Sequence, residues 1–214
     1  MPNVVAIVTC GGASRRMGRP KADLPFGPET LLERAVRQLL DAVGSVVVAA
    51  APAQSLPDFD ARRVRIVRDP SHHPGPLGAL GAALAAVPEP ADFAYLAAVD
   101  APCFSADWLR LLIDRIGDRD AAAAEIDGRW QPFAALYRIG PTREAVARLR
   151  AEGVERLTSL LDRLATRRIE GRELAAIDPA GLLFRDLDRP EDYLRALREL
   201  AAEGPAGPRD GGAG

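Results

Sequence analysis

Lysine is almost absent: one lysine, Lys21, stands among 28 basic residues, and every other one is arginine. Where a mere positive charge suffices this chain uses arginine, so its single ammonium points to a place where a planar guanidinium does not fit. Cysteine is scarce as well. Cys10 and Cys103 are too few for a disulfide framework, which predicts a reducing, cytoplasmic setting and buried free thiols. Together with His72 and His73 they show no zinc-ligand spacing. No run approaches the roughly 18 uncharged apolar residues that a membrane span needs, and Met1 to Asn3 carries no basic residue to open a signal peptide. A broad basic surface is also missing. Against 30 acidic residues the 28 basic ones leave a net charge of −2, which argues against nucleic-acid binding and leaves room for a small anionic ligand.

What is present is apolar material in quantity, 48% of 214 residues, enough for one large core. The expected organisation is a single domain over residues 1–203. A Gly/Pro-rich tail follows from 204 to 214, with nothing larger than alanine or proline to bury and an expectation of disorder. Val4 to Cys10 is a continuous β-branched run ending in Gly11-Gly12, the pattern of a strand buried on both faces. Thr30 to Val43 carries an amphipathic helix, Ser45 to Ala50 a second strand and Val64 to Val67 a third. Gly75-Pro76 opens a helix to about Val87, with proline suited to the first turn. Phe93 to Val99 is a fourth strand, and Ser105 caps a helix through Ile116. Asp127-Gly128 marks a hairpin between Ala121–Ile126 and Trp130–Tyr137. Helices are expected over Thr142–Ala151, Val154–Ala165 and Pro190–Ala202, with a late strand at Leu182 to Phe184. The alternation predicts an α/β, Rossmann-like, doubly wound sheet. It is mostly parallel, with helices on both faces and a small antiparallel excursion in the second half.

In such a sheet ligands gather beyond the carboxyl ends of the strands, which selects the loops after Cys10, Val67 and Val99. The first reads CGGASRRMGRPK from Cys10 to Lys21. Its glycines allow backbone N–H groups close to phosphate oxygens, and Arg15, Arg16, Arg19 and Lys21 supply charge. Neither the Walker A nor the dinucleotide spacing occurs in it. Asp100 ends the fourth strand, where a carboxylate suits Mg²⁺ held jointly with phosphate oxygens or stabilises the turn before Ala101-Pro102. Asp69 meets the ligand or simply opens the turn at Pro70. Gly78 and Gly81 mark a close approach of their helix to a neighbour or a ligand.

The stretch from Gly11 to Lys21 matches the pattern GG-x-S-x-R-M-G-x-x-K and resembles the signature loop of nucleotidyltransferases. Gly75-Pro76-Leu77-Gly78, Asp100-Ala101-Pro102, Gln131-Pro132 and the segment FRDLDRPED from Phe184 to Asp192 follow in order. Together, from residue 4 to about 200, they are most similar to the molybdenum cofactor guanylyltransferase family, which joins GMP to molybdopterin. The resemblance implies GTP and molybdopterin as substrates, Mg²⁺ as cofactor, and molybdoenzymes or other cofactor-biosynthesis proteins as partners. It implies that Thr9, Cys10, Gly11 and Gly12 contact the nucleotide, Lys21 its phosphates, Asp69 the nucleoside and Asp100 the magnesium. Arg16 and Lys21 would stabilise charge on the phosphates during transfer. Gln131, Pro132 and Arg156 are candidates for the acceptor side.

Asp188, three residues before Glu191, reads as a capping-box start for the last helix. Asp186 has no such duty and is the candidate second metal ligand, at places where the family looks to carry asparagine. A further departure is Ala49, where the family commonly has an asparagine after the second strand. A relative using CTP or another NTP, with molybdopterin or a sugar phosphate, is the alternative enzyme; a non-catalytic nucleotide-binding regulator is the alternative of another kind.

Overall fold

The computed structural model describes residues 2–11, 19–68 and 75–203. The expectations for Gly12, Arg16, Asp69 and the tail from 204 to 214 lie outside the described residues. In chain order the elements are β1 (Val4–Thr9), a 3-10 turn (Lys21–Asp23), β2 (Pro25–Phe26), β3 (Glu29–Thr30), α1 (Leu31–Val43), β4 (Val46–Ala50), β5 (Val64–Arg68), α2 (Gly75–Ala85), β6 (Phe93–Ala98) and α3 (Ala106–Ile116). There follow β7 (Ala121–Ile126), β8 (Arg129–Trp130), β9 (Ala135–Arg138), α4 (Ile139–Ala151), α5 (Thr158–Arg163), β10 (Thr166–Ile169), α6 (Gly171–Ile177) and α7 (Pro190–Glu203).

The main sheet runs β10-β7-β9-β6-β1-β4-β5, with β8 paired to β7 at its side. β1 pairs in parallel with both β4 and β6. The chain therefore steps outward from β1 through β4 to β5, then returns to place β6 on the other flank of β1. That reversal is the switch point at which open α/β sheets bind ligands. β9 runs antiparallel between β6 and β7, which is the expected excursion and closes the second half onto the first.

Both faces of the sheet are covered, and the period of two sorts the side chains between them. Val4, Ala6 and Val8 pack with α1 and α3 on one face; Val5 and Ile7 pack with α2 and α4 on the other. Local signals set the helix boundaries. Thr30 and Glu33 form a reciprocal capping box and Gly44, at φ 81°, ends α1; an N-cap of this kind contributes about 1 kcal/mol. Ser105 accepts from the Trp108 N–H and caps α3. Asp127 (φ 50°) and Gly128 (φ 72°) are both left-handed, the turn that matches the twist of a two-residue hairpin. At Gly81 a Cβ would lie 3.1 Å from Cγ1 of Val146, so the glycine admits α4 against α2, as packing predicts.

Two expectations from the second half are corrected. The helix expected over Val154–Ala165 is confined to α5, because the Val154 N–H still bonds back to the Leu149 carbonyl at 2.9 Å and Leu164 (φ −89°, ψ 153°) is already extended. Thr166–Ile169 then re-enters the sheet as β10, parallel to β7. Leu182–Phe184 is not a strand. The Asp178 carboxylate accepts from the Leu182 and Leu183 N–H groups at 2.8 and 2.9 Å, folding the segment into a turn that buries Leu183. Both cysteines were expected to be buried; Cys10 is, whereas Cys103 is only half-buried.

Candidate active site

The carboxyl ends of β1 and β6 are tied together where the sheet reverses: the Val99 N–H donates to the Thr9 carbonyl at 3.1 Å. Beyond β1, the Cys10 N–H continues the ladder to the Ala49 carbonyl at 2.9 Å. The next residue must be glycine, because a Cβ on Gly11 would stand 3.0 Å from the Ala51 nitrogen. Thr9, Cys10 and Gly11 thus lead the loop out against the end of β4, and Ala49 has its side chain buried in that strand.

Asp100 follows β6 and Lys21 opens the 3-10 turn on the far side of the loop. Lys21 Nζ lies 2.7 Å from Asp100 Oδ2 and 2.7 Å from Asp188 Oδ1, with side-chain exposures of 14%, 24% and 59% for lysine, Asp100 and Asp188. Burial alone would lower the lysine pKa; hydrogen bonds to Asp100 and Asp188, with their charge, outweigh it and hold the pKa above the ordinary value. The carboxylate read from sequence as a helix cap is thus directed to the lone lysine. Its position follows from Leu187, which is fully buried and donates its N–H to the Asp100 carbonyl at 2.9 Å. The residues on either side of that anchor, Asp186 and Asp188, are exposed along the rim.

Asp186 titrates unlike an ordinary aspartate. Crowding of its carboxyl by neighbouring atoms, then the negative charges of Asp100 and Asp188, raise its pKa to about 6, with Lys21 opposing. Desolvation is the larger cause, although the residue as a whole is open to solvent. Among the described residues no three His, Cys, Asp or Glu side chains converge as a closed metal cage. Mg²⁺ needs no such cage, since one or two carboxylates suffice when phosphates and water complete its octahedron. The donor set fits: hard carboxylate oxygens of Asp100, Asp186 and Asp188, two of them already bridged by an ammonium.

Gln131 and Pro132 lie in the turn between β8 and β9 and share a cavity with Ala98, Ala101, Phe184 and Asp186. Two buried aromatic side chains hold this turn. The Tyr137 hydroxyl donates to the Pro132 carbonyl at 2.7 Å, and the Trp108 indole N–H donates to the Ala134 carbonyl at 2.6 Å. Ala134 is held at φ 51°, a left-handed conformation that disfavours a side chain. Arg156 is exposed and is not part of that cavity's lining; its neighbour Glu155 packs beside Gly75 at the start of α2. Sequence reasoning missed Asp188, whose membership in the FRDLDRPED segment was the available signal, and Tyr137 and Trp108, which were placed only in an expected strand and helix.

Residues 6–168 match the MobA-like NTP transferase domain. A probable molybdenum cofactor guanylyltransferase of Mycolicibacterium paratuberculosis is 38% identical over 82% of this chain and 90% of its own. Among solved structures, molybdopterin-guanine dinucleotide biosynthesis protein A from Archaeoglobus fulgidus superposes with a TM-score of 0.73 at 19% identity, over 92% of this chain and 99% of that one. The 2-C-methyl-D-erythritol 4-phosphate cytidylyltransferase of Thermus thermophilus shares the fold at a TM-score of 0.69 and 19% identity, over 94% of this chain and all of its own. The chain belongs to the MobA-like NTP transferase domain family and is a nucleotidyltransferase.

Proposed function

We propose that this nucleotidyltransferase transfers GMP from GTP to molybdopterin, with Mg²⁺, releasing pyrophosphate. The observation that carries the reading is the lone lysine held between Asp100 and Asp188 at the switch point, joined to the relative that bears the guanylyltransferase name. An oxygen of the acceptor's phosphate monoester attacks the α-phosphorus in line. The new P–O bond forms as the bond from the α-phosphorus to the bridging oxygen breaks, and pyrophosphate leaves. No protein nucleophile takes part; the chain positions and neutralises.

Lys21 exchanges its carboxylate partners for phosphate oxygens, Arg16 adds charge for the same phosphates, and Thr9, Cys10, Gly11 and Gly12 contact the nucleotide. Asp69 accepts from the N1–H and 2-amino group of guanine. Asp100, with Asp186, would hold Mg²⁺, which when bound neutralises charge on the phosphate oxygens. Gln131 and Pro132 face the acceptor, and Arg156 remains a candidate for it. Among the described residues no helix is long and apolar enough to cross a membrane, and with only two cysteines in the chain we place the reaction in the cytoplasm, on a single domain spanning residues 1–203. Pyrophosphate release measured with molybdopterin and each of the four NTPs tests the reading. GTP should be preferred; preference for CTP would move the activity to cytidylyl transfer.

A further inference from the structure

Gln54 sits in the turn that follows β4, and its amide is only half satisfied. Its Oε1 accepts from the Ala51 N–H at 3.2 Å and from the Cys10 thiol at 3.8 Å. Both partners are donors, so the oxygen must face them, and flipping the amide would set donor against donor. The Nε2 is then turned the other way, where it is buried and has no hydrogen-bond partner among the described residues. The backbone of the turn is itself held. Arg68 NH1 grips the carbonyls of Ala51, Pro52 and Gln54 at 2.9, 3.2 and 2.8 Å, and Gly11 lies close against Ala51. Gln54 thereby lies between the loop that leaves β1 and the end of β5, beyond the carboxyl ends of three adjacent parallel strands.

A buried donor without an acceptor is unfavourable in the free protein and becomes favourable once a ligand brings the acceptor and the surrounding side chains open to it. We propose that Gln54 is a specificity-determining residue that donates from Nε2 to the 6-oxo group of the nucleobase; this rests on the guanylyl-transfer reading. Guanine presents an acceptor at O6, whereas adenine and cytosine present amino groups at the equivalent edge. An amide donor welcomes the first and leaves the other two facing donor to donor. Gln54 therefore separates oxo from amino bases, and the donors of guanine at N1 and N2 are left to other groups.

The test is calorimetric binding of GTP, 6-thio-GTP and ATP to the full chain with Mg²⁺. 6-Thio-GTP keeps the N1–H and 2-amino group but replaces O6 by sulfur, a weak acceptor. The unmodified chain should bind it about 5- to 10-fold more weakly than GTP, the worth of one ordinary hydrogen bond. Gln54→Met, similar in length but without a donor, should bring the two affinities together. Gln54→Glu keeps the oxygen that Ala51 and Cys10 hold and turns the donor into an acceptor, so it should move preference toward ATP even if the methionine variant folds poorly. If the unmodified chain prefers GTP but both variants keep its discrimination, the role of Gln54 is overturned. If the unmodified chain does not prefer GTP over ATP, the guanylyl reading falls first.

Discussion

Lys21 Nζ meets Asp188 Oδ1 at 2.7 Å across 167 positions of sequence. The last loop before α7 thus reaches back to the first loop of the chain and places a negative charge beside the cation expected to meet the triphosphate. Asp188→Asn should tighten GTP binding by roughly 3-fold, the scale of one partly screened like charge near a phosphate. Titration calorimetry with and without Mg²⁺ checks this. Weaker binding only when Mg²⁺ is present would make Asp188 a metal ligand.

Lys21→Ala should lower the rate by about 100-fold or more, in line with loss of one charged donor to a transition state. Lys21→Arg should recover little of it. Its guanidinium would have to fit between Asp100 and Asp188, each 2.7 Å from a compact ammonium, and a planar fork cannot take that position. Near-normal turnover of the arginine variant would show that charge alone matters there.

The first half of the fold was legible because its signals are local. Val4 to Cys10 alternates between two buried faces, Thr30 and Glu33 announce α1, and Asp127-Gly128 announces its hairpin. The second half depends on distant partners. β10 has four residues, two of them arginines exposed at the sheet edge, so nothing in its sequence separates it from a helix end. Leu182 to Phe184 are apolar because Leu183 is buried and Phe184 meets Trp108 edge-on, without a strand to form. The site divides in the same way. Lys21 and Asp100 stood out by scarcity and by position after a strand. Asp188 carried a valid capping pattern, and only the fold could redirect it to Lys21.

Tyr137→Phe removes the hydroxyl that holds the Pro132 carbonyl and should cost about 1 kcal/mol of stability. Its kinetic effect should be selective, raising KM for the acceptor while leaving GTP affinity unchanged, because the turn from Gln131 to Ala134 lies away from the β1 and β4 loops. Urea denaturation and separate titrations of the two substrates measure the two effects. Equal damage to GTP binding would show that this turn serves the nucleotide.

Cys10 offers a pH test. Burial, against the pull of Arg68 and the bond to Gln54, pushes its thiol from 9.0 up to about 12. Unfolded, it releases its proton near 9.0; folded, it keeps it to about 12. The folded state binds more protons between those values, so this contribution is complete below pH 9 and is lost as pH rises toward 12. Iodoacetamide at pH 8 to 9 should label Cys103 and spare Cys10, followed by peptide mass spectrometry. Rapid labelling of Cys10 in the folded chain would contradict the packing of this loop.

The central claim is that a nucleotidyl group moves from GTP to molybdopterin, and the fate of labelled phosphate tests it most directly. The chain is incubated with Mg²⁺, molybdopterin and GTP labelled at either the α- or the γ-phosphate, with Asp100→Asn as the control. The account predicts α-label in the molybdopterin product, γ-label in pyrophosphate, and loss of both in the Asp100→Asn protein. Transfer of the γ-label to the acceptor, or its release as inorganic phosphate with no α-label in product, would contradict it.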